Sequence, residues 1–118
     1  MRMWNINPKL LCGSHLLGEH FEIHCMIGDI RKGGLWTKRL TYSGYLEPQN
    51  AKKRHDELVA EMERRGYNHR SPLNVDGLYY QMPNGKVNKN KSIFDLWERC
   101  DACRYKIKMA GYYVGHFE

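Results

Sequence analysis

No apolar run in the 118 residues approaches the roughly 20 needed to span a bilayer. The first residues lack the basic stretch and apolar stretch of a secretory signal. No helix is expected to span a membrane, and a cytosolic or nucleoid location is expected. Cysteine is sparse: Cys12, Cys25, Cys100 and Cys103 are too few for a disulfide scaffold and are read as reduced thiols. Internal repeats are missing, and the only low-complexity stretch is the short one from Asn84 to Lys91. Acidic side chains, 13 against 19 Lys and Arg, leave a formal charge of +6, which favours polyanionic partners through counterion release.

What is present suits one compact domain with a single core, 42% hydrophobic and 27% charged. Three helical stretches stand out. From about Ser14 to Arg31, apolar positions Leu16, Ile23, Ile27 and Ile30 repeat with His20 at three- and four-residue spacing, and Gly33 and Gly34 end the run. At about 100° per residue, His15, Glu19, Glu22, Met26 and Asp29 form a second stripe on that helix. A second helix is predicted to start at Pro48, to point Ala51, His55, Leu58, Val59 and Met62 inward, and to stop at Gly66. Its other faces carry Lys52, Lys53, Arg54, Arg64 and Arg65, a run that by itself reads as a solvated surface. The third is predicted to begin at Ser92 as N-cap and to bury Ile93, Leu96, Trp97, Cys100, Cys103 and Ile107. Residues Leu35 to Tyr45 alternate well enough to permit a short hairpin.

Several groups carry chemistry. His20 and His24, at i and i+4, could grip a metal ion, but both point to the apolar side, and the glutamate between them is misplaced for a zinc protease. Cys100 and Cys103 form a lone C-x-x-C without a second pair at zinc-ribbon spacing, and are read as buried thiols. Tyr105, Lys106, Lys108, Tyr112 and Tyr113 interleave cations with rings, either to hold phosphates and stack bases or to cover the core. Glu22, between Phe21 and Ile23, is a candidate for proton transfer.

Three blocks of sequence make these groups specific. The first runs from Arg2 through His15, Leu16, Glu19 and Glu22 to Gly28, Arg31 and Lys32; the second is KRHDELVAEMERRGYN, Lys53 to Asn68; the third and looser spans Ser92 to about Gly115. Together they resemble the phage endonuclease V family of pyrimidine-dimer DNA glycosylases with an attached abasic-site lyase activity.

The resemblance implies an all-α domain of three main helices with the N-terminal segment inserted between them. It implies a DNA repair enzyme that everts a nucleotide, cuts its N-glycosidic bond and nicks the strand by β-elimination. In that family the α-amine preceding the counterpart of Arg2 attacks C1′, here Met1, and a glutamate at the position of Glu22 assists. In the best-known member this residue is exposed by removal of the initiator methionine, whereas here it is Met1 itself. An α-amine titrates at about 7.7 to 8.0, against about 10.4 for a lysine, and so offers a neutral fraction near pH 7. DNA contacts are implied for Arg2, His15, Arg31, Lys32, His55, Arg99, Tyr105 and Lys106. No metal or cofactor is expected. The partner is lesion-bearing double-stranded DNA, the protein is expected to be a monomer, and its place is the cytoplasm of a bacterial or phage-infected cell. Two family arginines flanking the glutamate correspond to Phe21 and Cys25, which opens the substrate to another damaged or modified pyrimidine or a bare abasic site. A non-catalytic DNA-binding module of the same fold, and a metal-dependent nuclease built on His15, His20 and His24, are the alternatives.

Overall fold

The structure, a computed structural model, describes residues 1–112. Tyr113 and the rest of the third sequence block lie outside the described residues. Five α-helices and no strand occur among those described: α1 (Gly13–Arg31), α2 (Leu35–Tyr42), α3 (Ala51–Arg64), α4 (Lys89–Arg99) and α5 (Asp101–Met109). Short 3-10 turns at Pro8–Leu10, Pro48–Asn50 and Tyr79–Gln81 join them.

α1 and α3 form where the periodicity places them. Pro48 opens a 3-10 turn that leads directly into α3, because its fixed φ and missing N–H suit a first helical position. After α3, Gly66 takes a φ of 90°, open to glycine at little cost. The expected hairpin is instead α2. Its reason is Asp29, whose Oδ2 accepts both the backbone N–H of Thr37, at 2.8 Å, and the Thr37 hydroxyl, at 2.7 Å. A carboxylate from α1 thus caps one free amide of α2, that of Thr37. Thr37 and Thr41 face inward while Leu35 and Trp36 are exposed, the reverse of what apolar patterning suggests.

The third helix also differs from expectation. Asn88, not Ser92, is the N-cap, its side chain accepting the Lys91 amide at 3.0 Å. Ser92 lies inside α4, fully buried. At Cys100 the backbone turns extended, with φ −134° and ψ 111°, so the stretch divides into α4 and α5.

α1 packs on α3 and α2, and α4 packs on α5. The N-terminal segment contributes Met3, Trp4, Ile6, Leu10 and Leu11 to the core alongside Leu16, Ile23 and Ile30 of α1. Asn5 adopts φ 56°, a left-handed conformation that Asn tolerates.

Arg54 of α3 and Arg65, the residue that caps its C-terminus, grip this segment. Arg54 donates to the Ile6 carbonyl at 2.7 Å and, through Nε and Nη2, to both oxygens of Glu19 at 2.5 and 2.9 Å. Arg65 donates to the carbonyls of Pro8 and Leu11 at 3.1 and 2.7 Å, and its Nε pairs with Glu61 at 2.7 Å. Hydrogen bonds from Arg64 and then Arg65 draw the Glu61 carboxyl down to about 2. The basic run of α3 is therefore not merely a solvated face: Arg54 is 3% exposed and holds the N-terminus in place.

Candidate active site

The grip on residues 6 to 11 directs the first residues of the chain across α1. There the backbone N–H of Arg2 donates to Glu22 Oε2 at 2.8 Å. Backbone bond lengths then bring the Met1 α-amine, one residue earlier, within about 6.5 Å of that carboxylate. The Met3 amide donates to the Tyr45 carbonyl at 2.8 Å and fixes the N-terminal segment at a second point. Met1 and Glu22 are each half-buried, shielded yet open to a ligand.

Arg2 is held as firmly. Its Nη2 lies 2.7 Å from Asp95 Oδ2, and its guanidinium stacks over Trp4 at 3.9 Å and stands 5.0 Å from the Tyr45 ring. Burial pushes the Asp95 carboxyl up, but hydrogen bonds from Arg2 and Lys91 outweigh it and hold Asp95 below the usual carboxylate range. Arg2, assigned to DNA by resemblance, is turned inward and locks the N-terminus to α4.

Glu19, on the same predicted stripe as Glu22, is 1% exposed and closed off by Arg54. Desolvation raises its carboxyl above the ordinary range, opposed by the bonds from Arg54, while those same bonds keep the guanidinium charged. Met26 is fully buried too, so two of the five stripe residues are packed while His15, Glu22 and Asp29 are half-buried.

The remaining candidates separate into groups. His15 sits edge-on to Trp4 at 5.7 Å between ring centroids, and the Glu22 charge partly offsets the desolvation that lowers its pKa. Its Nδ1 also lies 3.3 Å from Cys12 Sγ and 3.5 Å from Cys103 Sγ. His20 and His24 stand elsewhere, packed with His55 and His69 at centroid distances of 4.8 to 5.3 Å. The structure thus splits the three histidines of the nuclease alternative between two clusters. His55 is 1% exposed, its ring between Asp56 and the Ser71 carbonyl, so this conformation offers DNA none of the surface a direct contact needs. Desolvation first, then His55, His24 and His69, lower His20 to about 4. Arg31, Lys32, Arg99 and Tyr105 are exposed and Lys106 is half-buried, with Arg31 donating to the Asn74 carbonyl at 2.8 Å. Phe21 is 67% exposed.

A groove of about 800 Å³ is lined by Glu47, Gln49, Gly85 to Asn88, Lys89 and Asn90, and includes neither Met1 nor Glu22. A smaller cleft of about 120 Å³ shares Lys86, Val87 and Asn88 with it and adds Arg2, Tyr45 and Lys91. Exposed Lys86 and Lys91 therefore line one cleft with Arg2, and exposed Lys89 lines the adjoining groove. Sequence reasoning passed over them as low complexity, although three lysines in six residues were the available signal.

A family model described as pyrimidine dimer DNA glycosylase matches residues 1–75. No curated protein and no solved structure matches the chain. The matched region holds Met1, Arg2, Glu22 and helices α1 to α3, and ends before Asp95, Cys100 and Cys103.

Proposed function

Because this chain belongs to the pyrimidine dimer DNA glycosylase family, a family of DNA repair enzymes, we propose that it is a glycosylase and abasic-site lyase whose nucleophile is the Met1 α-amine. The observation that carries the reading is the Arg2 N–H bond to Glu22, which anchors the N-terminus beside a half-buried carboxylate.

The neutral amine attacks C1′ of the damaged pyrimidine nucleotide. The N–C1′ bond forms as the glycosidic bond breaks, and the base leaves with the bonding pair and takes up a proton. Glu22 stabilises the positive charge developing on the sugar. Transfer of the amine proton to the ring oxygen then opens the sugar to an imine. Removal of a C2′ proton expels the 3′-phosphate, and water releases the protein. Glu22 Oε1 has no partner among the described residues and is available to move these protons, while Oε2 holds Arg2. No step requires a metal. The exposed Lys86, Lys89 and Lys91 join Arg31, Lys32, Arg99, Tyr105 and Lys106 as phosphate and base contacts, and Arg2, His15 and His55 act by positioning the site.

A second reading of the substrate has its own support. Phe21 and Cys25 are exposed on the helix that carries Glu22, where the resemblance places arginines. An apolar ring there favours stacking on a base over neutralising a phosphate, which directs the enzyme to a modified pyrimidine or an abasic site in place of a dimer.

Incubation with ultraviolet-irradiated, modified-pyrimidine or abasic duplex under cyanoborohydride tests the chemistry. A covalent protein–DNA adduct mapped to Met1 by peptide mass spectrometry is expected. An intact protein with a blocked or trimmed terminus that still nicks DNA would sink the amine mechanism, and binding without an adduct on any of these substrates would leave a DNA-binding module.

A further inference from the structure

At the start of α1 and α5, beside His15, lie three thiols that the proposed chemistry leaves unused. Cys12 Sγ is 3.3 Å from His15 Nδ1 and 3.8 Å from Cys100 Sγ, and Cys103 Sγ is 3.5 Å from His15 Nδ1. One ligand atom from each of the four residues lies within 4.8 Å of every other. A tetrahedral ion with bonds of about 2.3 Å to sulfur and about 2.0 to 2.1 Å to nitrogen sets sulfurs about 3.8 Å apart and sulfur about 3.5 Å from nitrogen. The observed separations fit that polyhedron, and the Cys12 to Cys100 separation is far longer than the roughly 2.05 Å of a disulfide.

We infer that Cys12, His15, Cys100 and Cys103 bind a single zinc-class divalent ion in a closed, structural site. The sequence pattern agrees once the fold pairs its halves, since Cys-x-x-His and Cys-x-x-Cys each start a helix. Cys12 is the N-cap of α1 and Cys100 the N-cap of α5. Two helix N-termini thus converge, each with partial positive charge, and the first turn of α1 has no acidic residue to answer it. Three thiolates and a divalent ion carry one net negative charge into that position. The amides of Cys12 and Cys103 already donate to sulfur, at 3.2 Å to Cys103 Sγ and 3.4 Å to Cys100 Sγ, the kind of bond that supports a thiolate ligand. Three sulfurs and one imidazole select zinc over the hard oxygen-seeking cations. With four protein ligands, no position is left for water or substrate, so the ion ties α5 to the start of α1 and takes no part in the strand chemistry.

The inference does not depend on the glycosylase reading. Protein purified under reducing conditions is expected to carry one zinc ion per chain by inductively coupled plasma mass spectrometry. Its Co²⁺-exchanged form is expected to show intense tetrahedral d–d bands with thiolate-to-metal charge transfer. Stripping the metal is expected to lower the melting temperature by at least about 10 °C. Cys100→Ser combined with Cys103→Ser is expected to abolish metal retention, whereas His15→Cys keeps it and strengthens the charge-transfer band. Should the serine variant fail to fold, the His15→Cys spectrum and protection of the thiols from alkylation until chelator is added decide the matter. Wild-type protein that takes up neither ion, a Co²⁺ spectrum without thiolate charge transfer, unchanged metal content in a folded serine variant, or a disulfide among Cys12, Cys100 and Cys103 would each overturn the site.

Discussion

Glu19 and Glu22 lie three residues apart on α1, and their surroundings are opposite. Glu19 has both oxygens occupied by one guanidinium in the core, and its charge is cancelled where it stands. Glu22 is half-buried, holds a backbone N–H with one oxygen, and keeps the other unpartnered among the described residues. A carboxylate held by a side chain of opposite charge becomes scaffold. One held by a neutral amide keeps its charge for use. The two are nevertheless parts of one arrangement, because the Arg54 that neutralises Glu19 also holds the Ile6 carbonyl and so steers the N-terminus to Glu22.

The comparison breaks first at Glu22. Glu22→Gln is expected to lower single-turnover cleavage by about 10²- to 10⁴-fold, the range of general acid–base catalysis, while a urea melt stays close to wild type. Wild-type rates in that variant would remove the functional half of the contrast. Glu19→Gln tests the other half, since it leaves the Arg54 charge buried with its main partner neutralised. A loss of about 3 to 5 kcal/mol in unfolding free energy is expected, a large fraction of a typical domain's total. Cleavage under conditions where the variant remains folded should persist, and a folded, fully stable Glu19→Gln that cannot cut would reverse the assignment.

A smaller effect comes from pH. His20 binds its proton near 6.5 when unfolded and near 4 when folded, so between these values the unfolded chain holds more protons. Stability therefore falls as pH drops from about 6.5 towards 4, and His24, also lowered by burial and by His55, adds to the fall. Glu61 acts further down, its contribution being present above the unfolded value of 4.5 and lost as pH falls towards 2. Urea midpoints measured from pH 7 to pH 4 should decline steadily, and His20→Asn should flatten the upper part of that decline. A flat profile in the wild type would show that the histidine cluster charges without cost.

The contrast between the glutamates also marks where sequence alone stops. Periodicity is a property of local chain, and it found α1 and α3 with their ends at Gly33 and Gly66. It could not divide the last helical stretch at Cys100, since Leu96, Cys100, Cys103 and Ile107 stay in phase on both sides of the break. It read Leu35 to Tyr45 as alternating because the cap that makes α2 a helix arrives from Asp29. Glu22 acquired a role only through resemblance, and the stripe that it shares with Glu19 did not separate the two, because Arg54 lies 35 positions away from Glu19. The thiol cluster was hidden for the same reason, with Cys12 and Cys100 88 positions apart. The spacing Cys12-x-x-His15 at a helix start was visible, but it gains meaning only beside a second pair of the same form.

The ion pair between Arg2 and Asp95 joins residues 93 positions apart. In the order of synthesis the Arg2 side chain therefore waits 93 positions for the carboxylate that fixes it, which is made only with α4. The backbone anchors of the same segment, to Glu22, Tyr45, Arg54 and Arg65, are all made earlier. The lock between the N-terminal segment and α4 is thus closed only when most of the chain is already present.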